Sequence, residues 1–170
     1  SRTRVATLRE RLPAVPAQRG LIAEKHGHRL PGTREGTIRT VLDWARDAEA
    51  SRVFVFAAAA GMGKTVVAAS LKEEHPDLFV GGFFCRHDDV KLRDPKIMLS
   101  SLALQLAEAS EPFREALEEQ AQGVTREEFL GYDAQTMFNC VLKSPAEAIP
   151  PPTGHRLLLI LDALDECEHD

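Results

Sequence analysis

The sequence is poor in cysteine, has no excess of basic residues and has no long apolar runs. These features mark disulfide-rich, nucleic-acid-binding and membrane-spanning proteins, respectively. Only three cysteines occur among 170 residues, an odd number without the spacing of a disulfide framework, which predicts reduced intracellular thiols. No apolar run approaches the roughly 20 residues of a membrane span, and no charged-then-apolar signal opens the chain. The formal net charge of −5 argues against a nucleic-acid-binding surface, because such surfaces carry an excess of basic residues. We therefore expect a cytoplasmic protein that neither spans a membrane nor binds nucleic acid.

Internal repeats are also missing, so a solenoid or propeller is not expected. Weak patterning and two early prolines predict a linker over residues 1–29, with no more than one amphipathic turn before the prolines. Stronger helix and strand patterns predict a single domain over residues 30–170, which is long enough to bury a core.

A predicted strand, a glycine-bearing loop and a helix follow one another in RVFVFAAAAGMGKTVVAASLKEEH, residues 52–75. Residues 53–56 have the β-branched and aromatic composition of a strand buried on both faces. Residues 58–65, AAAGMGKT, fit the spacing of a phosphate-binding loop, although Ala58 stands where the usual pattern has glycine. From Lys64 the pattern predicts a helix that ends before Pro76.

The residue types of this loop suit a polyphosphate. Gly61 and Gly63 let consecutive backbone N–H groups turn inward, and the following helix adds the positive end of its dipole. The Lys64 ammonium can reach the β- and γ-phosphates, and the Thr65 hydroxyl is placed to bind Mg²⁺. The predicted nucleotide-binding residues are Ala58, Ala59, Ala60, Gly61, Met62, Gly63, Lys64 and Thr65.

A second stretch, RLLLILDALDE at residues 156–166, predicts a buried strand that ends in an acid. Such an acid lies at the carboxyl edge of a parallel sheet, where ligands bind, so we expect Asp162 to hold Mg²⁺ through water. Glu166, or as a second choice Asp165, would orient or deprotonate the attacking water. The alternative for Asp165 and Glu166 is a solvated acidic cap after the strand.

Another strand is predicted over residues 79–85, and polar residues follow it directly. Two interpretations of Arg86 stay open: it contacts the γ-phosphate, or it forms a surface salt bridge with Asp88 or Asp89.

Four separated segments together resemble a known family. They are GMGKT at 61–65, FFCRHDD at 83–89, LALQLAE at 102–108 and LLLILDALDEC at 157–167. In this order they are similar to the NACHT branch of the STAND signalling NTPases in the AAA+ superfamily, and in particular to the nephrocystin-3-like N-terminal type of NACHT module. The lead-in LPGTREGTIRTVLDW at 30–44 resembles the one that such modules carry. The NACHT pattern has a tiny residue after the metal-binding acid and a further acid three positions after it, here Ala163 and Asp165.

The resemblance implies a three-layer α/β fold, the parallel-sheet P-loop NTPase fold of AAA+ and STAND proteins. It also implies a fragment truncated after the Walker B strand, since the next strand of the family sheet would lie beyond residue 170. The expected ligands are ATP, or GTP, with Mg²⁺, and the expected activity is slow hydrolysis that resets a signalling switch. Effector and repeat domains outside this chain and a nucleotide-dependent homo-oligomer are the implied partners. We expect hydrolysis from the full-length protein and none from this fragment alone.

Two other functions stay open. A small-molecule kinase would use the same loop but would need an acceptor pocket and a basic lid, and no arginine-rich lid is visible between Thr65 and Asp162. A non-hydrolysing scaffold would bind nucleotide for structural reasons only. The residues contain no base-reading motif, so ATP is favoured over GTP by the resemblance alone.

Overall fold

The structure, a computed structural model, describes residues 2–30, 32–59, 61–150 and 156–168. The chain forms two compact units, and each is described by itself. The loop unit comprises the described residues within 18–82 and 152–162, and the helical unit comprises those within 1–17, 83–151 and 163–170.

The regular elements are short helices and two strands. In chain order they are α1 (Arg2–Arg11), α2 (Arg19–Gly27), α3 (Glu35–Arg46), α4 (Lys64–Glu74), β1 (Phe79–Phe84), α5 (Pro95–Ala109), α6 (Glu111–Gln120), α7 (Arg126–Gly131), α8 (Ala134–Phe138), a π-helical turn (Asn139–Lys143), α9 (Ser144–Ala148), β2 (Leu158–Asp162) and a 3₁₀ turn (Leu164–Glu166). None of the helices in the described ranges has the length and apolar content that crossing a bilayer requires.

The strands predicted at 79–85 and 157–161 are both present, as β1 and β2, and they pair in a two-stranded parallel sheet. An α/β fold is therefore confirmed. The three-layer sheet of a P-loop NTPase stays a prediction.

The predicted strand at 53–56 was wrong, since these residues form no strand in the structure. Val53 and Val55 are 70% and 80% exposed, while Phe54 packs its ring 5.2 Å from that of Trp44. A strand exists only where a neighbour takes its backbone hydrogen bonds, and β1 and β2 pair with each other. Residues 53–56 have a composition that favours a strand, but composition alone does not provide a neighbouring strand to pair with.

The loop unit is built around α4, which packs against α2, α3 and β2. Helix α3 is strongly amphipathic, because its apolar residues recur every three or four positions. The buried apolar residues of this core are Ile38, Val41, Ala45, Val67, Leu71, Leu78, Phe79 and Leu158. Their packing fixes the start of α4 against the strand that ends in Asp162.

Arg156, two residues before β2, joins this strand to the segment that follows α3. The guanidinium group of Arg156 donates hydrogen bonds to the backbone carbonyls of Ala48, Ala50 and Ser51, at 2.8, 2.6 and 3.0 Å. The same group lies over the Trp44 ring, with Cζ 6.0 Å from the ring centre. These contacts pair three carbonyl groups of the segment that follows α3 with a single charged donor group.

The helical unit has α5 at its centre, packed against α1, α6 and α8. Asp94 caps α5 by accepting a hydrogen bond from the Lys96 N–H at 2.8 Å, and Pro95 occupies the first helical position. The buried apolar residues of this core are Leu8, Leu12, Ala103, Leu104, Ala107, Phe113, Leu117, Ala121, Phe129, Met137 and Val141.

The structure has two helices, α1 and α2, in the segment for which the sequence predicts a linker with at most one amphipathic turn. Leu8 and Leu12, 2% and 0% exposed, belong to the core of the helical unit, and Ile22 is buried in the loop unit. Each helix carries too few apolar residues for a clear helical period, so tertiary packing rather than pattern determines them. The proposed domain boundary between residues 29 and 30 stays a prediction.

Replacing Phe129 with alanine is expected to lower the free energy of unfolding by about 3–5 kcal/mol. The side chain is 0% exposed and packs edge-on to Tyr132, with ring centres 5.5 Å apart, so the substitution leaves a cavity in the core. Phe138→Ala is the matched control, because Phe138 is 41% exposed and its loss should cost only about 1 kcal/mol. Urea unfolding followed by circular dichroism measures both values, and equal losses would contradict the assigned core.

Candidate functional site

The loop at residues 58–65 turns sharply before α4 begins at Lys64. Gly61 and Gly63 have φ angles of 76° and 73°, in the left-handed region that favours glycine. The Met62 N–H donates to the Ala59 carbonyl at 3.2 Å and closes a turn between them. Ala60 lies outside the described residues. Both glycines predicted to shape this loop thus have the conformation that only glycine adopts without strain.

The Lys64 side chain folds back into this loop. Its ammonium group donates to the carbonyls of Ala58 and Ala59, at 2.6 and 3.3 Å. The positive charge of Lys64 therefore lies against the backbone of the loop that precedes α4. An anion bound there would meet this charge at the start of a helix, where N–H groups have no helical partner.

Arg34 adds a second positive group to the loop. It is the residue before α3 and has a φ of 62°, unusual for a residue other than glycine. Its guanidinium group donates to the Met62 carbonyl. A Cβ atom added at Gly63 would lie 2.5 Å from Nη2 of Arg34, so the arginine fills the space beside that glycine. The predicted site residues did not include Arg34, although the Gly-Thr-Arg lead-in contains it.

The two residues predicted to bind metal both belong to the loop unit. Thr65 lies half-buried in the first turn of α4, and Asp162 is the last residue of β2, with 8% exposure. Among the described residues, no group of three or more histidine, cysteine, aspartate and glutamate side chains could hold a metal ion. Mg²⁺ does not require such a group, because it commonly uses one or two protein oxygens, phosphates and several waters.

After Asp162 the chain makes a sharp corner. Ala163 has a φ of 55°, in the left-handed region, and the 3₁₀ turn Leu164–Glu166 follows. A small side chain limits the steric cost of this conformation, which a β-branched residue would raise. This left-handed corner gives a structural reason for the tiny residue that the NACHT pattern has at the position of Ala163.

The acids of the helical unit differ in their surroundings. Glu166 Oε2 accepts hydrogen bonds from Nδ1 and from the backbone N–H of His87, both at 3.1 Å. These two bonds hold the pKa of Glu166 below its usual range, because they favour the charged carboxylate. Asp165, its neighbour, is exposed. Of the two acids, Glu166 is the one whose carboxylate is oriented by described contacts.

The environment of Arg86 supports one of its two interpretations. Its Nε and Nη2 atoms donate to the two carboxylate oxygens of Asp88, at 3.0 and 2.7 Å. This pairing raises the pKa of Arg86 and lowers that of Asp88. Both side chains are about half exposed, so the surface salt bridge that the sequence suggested is confirmed.

The sequence model of the family described as "Nephrocystin 3, N-terminal" matches residues 34–170, most of the chain. The protein belongs to this family. No curated protein and no solved structure matches the chain.

The nephrocystin 3 N-terminal region includes every residue predicted for the site, from Ala58 to Glu166, and begins at Arg34 itself. Two contacts of this family member were not predicted: the bond from Arg34 to the loop and the bonds from His87 to Glu166. Both join residues that are distant in sequence. The sequence signal for each was a polar residue next to a predicted element boundary, before α3 and after β1.

Proposed function

We propose that this member of the nephrocystin 3 N-terminal family is the nucleotide-binding core of a NACHT-type STAND switch, with the three-layer P-loop NTPase fold of the AAA+ superfamily. It binds ATP with Mg²⁺ and hydrolyses it slowly. The observation that carries the proposal is the loop at 58–65, whose left-handed glycines curve the backbone around the Lys64 ammonium. That arrangement has the small residues, the charge and the helix start that a polyphosphate requires.

In this proposal the backbone N–H groups of residues 59–65 surround the β- and γ-phosphates, and Lys64 neutralises part of their charge. The hydroxyl of Thr65 and the carboxylate of Asp162 are hard oxygen donors of the kind that Mg²⁺ prefers, so they fit the metal. When bound, Mg²⁺ neutralises the charge that develops on the phosphate oxygens.

Glu166 follows Asp162 by only four residues, and we assign it the attacking water. Its lowered pKa makes it a weaker proton acceptor, so orienting the water fits Glu166 better than removing its proton. Asp165 is the second choice for this role. In-line attack on the γ-phosphate then releases phosphate and leaves the diphosphate bound.

The switch role, the preference for ATP over GTP and the expected partners rest on family membership, while the cytoplasmic location rests on the composition of the sequence. Those partners are effector and repeat domains and a nucleotide-dependent homo-oligomer. Each is part of the proposal.

The experiment measures binding and turnover separately on the intact protein, using labelled ATP or GTP with and without Mg²⁺. We expect Mg²⁺-dependent binding of ATP and slow phosphate release without any added acceptor. Release only when a metabolite is added would indicate a small-molecule kinase, and binding without release would indicate a scaffold. No binding of either nucleotide would refute the proposal.

A further inference from the structure

Two cysteines distant in sequence lie side by side in the helical unit. Cys85 directly follows β1, Cys167 directly follows the 3₁₀ turn, and 82 positions separate them. Their Sγ atoms are 2.8 Å apart, and both residues are thiols not joined in a disulfide, with only 3% and 7% exposure. The S–S bond of a disulfide measures about 2.05 Å, so only a small movement separates this pair from a covalent bond.

The approach of the two thiols is fixed by contacts on either side of them. Before Cys167, Glu166 accepts the two hydrogen bonds of His87. After it, the Glu168 N–H donates to the Arg93 carbonyl at 2.8 Å, and the Glu168 carboxylate pairs with Arg93 Nε at 2.7 Å. The segments 85–93 and 166–168 are therefore held together at three successive residues, with the thiols in the middle.

We propose that Cys85 and Cys167 are a redox modification site, at which a reversible disulfide forms when the protein meets a hydroperoxide or a low-molecular-weight disulfide. This inference does not rest on nucleotide binding, since it is argued only from the two thiols and the contacts on either side of them.

Either oxidant can accept the two electrons that the two thiols lose. One thiolate sulfur attacks the O–O bond of hydrogen peroxide, giving a sulfenic acid and releasing water once the leaving oxygen is protonated. The second sulfur then attacks the sulfenic sulfur, the S–S bond forms, and a second water leaves. Two thiols lose two electrons and two protons, and the peroxide is reduced to two waters. A dithiol reductant reverses the reaction by thiol–disulfide exchange.

Cys167 is the thiol that the oxidant should reach first. It is the more exposed of the pair, and the glutamates on either side of it have side chains 38% and 56% exposed. Their contacts with His87 and Arg93 lie near solvent, so a local opening of 166–168 requires little rearrangement. Cys85 is more deeply buried and would resolve the sulfenic acid. The disulfide would then tether the residue next to Glu166 to the end of β1.

The test exposes the intact protein to hydrogen peroxide or oxidised glutathione and maps each cysteine by differential alkylation and mass spectrometry. We expect a peptide containing linked Cys85 and Cys167 that disappears after dithiothreitol treatment. Cys140 is the internal control and should not appear in a linked peptide, because the Sγ atoms that approach each other, at 2.8 Å, are those of Cys85 and Cys167. The oxidised protein should also unfold at a temperature about 5 °C higher, since the bond closes a long loop.

Matched variants sharpen the test. Cys85→Ser and Cys167→Ser should each abolish the linked peptide and the rise in unfolding temperature, while Cys140→Ser should keep both. If a variant does not fold, the wild-type peptide map still decides, because it needs no substitution. Glutathione or sulfinic acid on Cys167 without the linked peptide, or linkage through Cys140, would overturn the proposal.

Discussion

Lys64→Ala is expected to abolish ATP binding by the intact protein, with a loss of affinity of at least about 100-fold. The ammonium group lies inside the loop at 58–65, 2.6 Å from the Ala58 carbonyl, where it would exchange that carbonyl for phosphate oxygens. Removing one partner of a buried charge pair typically costs about 2–5 kcal/mol, and each 1.4 kcal/mol is tenfold in affinity. Isothermal titration calorimetry with Mg²⁺ and ATP measures the change.

Two controls separate this charge effect from a damaged loop. Lys64→Met keeps most of the side-chain length without the charge, so it should lose affinity equally. Lys72→Ala removes a lysine from the last turn of the same helix, where its amino group donates to the Val80 carbonyl at 3.3 Å. This variant should bind ATP as the wild type does, provided that thermal unfolding shows it folded. Unchanged affinity in Lys64→Ala would count decisively against a nucleotide site at this loop.

Glu166→Gln is expected to slow ATP hydrolysis by about 100-fold while leaving ATP affinity within about threefold of the wild type. The amide oxygen of glutamine can still accept the backbone hydrogen bond from His87, so the local fold should persist. What is lost is the negative charge that would hold the attacking water. Single-turnover phosphate release and equilibrium binding, measured on the same preparation, give the two quantities.

The neighbouring acid supplies the matched control. Asp165→Asn removes the same charge from an exposed position beside Glu166 and should change hydrolysis much less. If Asp165→Asn has the larger effect, the two acids exchange roles. Equal losses of binding and turnover in Glu166→Gln would instead make Glu166 a metal ligand.

The sequence predicts well the elements whose determinants lie nearby in the chain. Helix α4 starts after the glycine loop and ends before Pro76, as predicted, and both α5 and α7 have local start signals: Asp94 with Pro95, and the capping box of Thr125 with Glu128. Each of these signals lies within a few residues of the feature that it determines.

Elements that depend on distant partners were predicted less well. Residues 53–56 have strand composition but no ladder, because pairing depends on a neighbour and not on composition. Helices α1 and α2 have weak patterns, and the buried leucines of this segment are Leu8 in α1 and Leu12 directly after it. Contacts with other elements, rather than the sequence pattern, determine whether such helices form.

The candidate site likewise combines local features, which the sequence predicts, with contacts between distant residues, which it does not. The loop residues and the strand ending in Asp162 were predicted from short motifs, since spacing along the chain alone determines them. The contacts of Arg34 with Met62 and of His87 with Glu166 join residues far apart in sequence, and no spacing rule predicts them. The left-handed conformation of Arg34 is likewise unexpected from its residue type.

The three carbonyl bonds of Arg156 have a mechanical consequence within the loop unit. Because Arg156, two residues before β2, donates to three carbonyls of the segment after α3, a displacement of the start of this strand must break these bonds or move that segment as well. Movement of the strand that ends in Asp162 would therefore also move the residues that follow the opening helix of the family region.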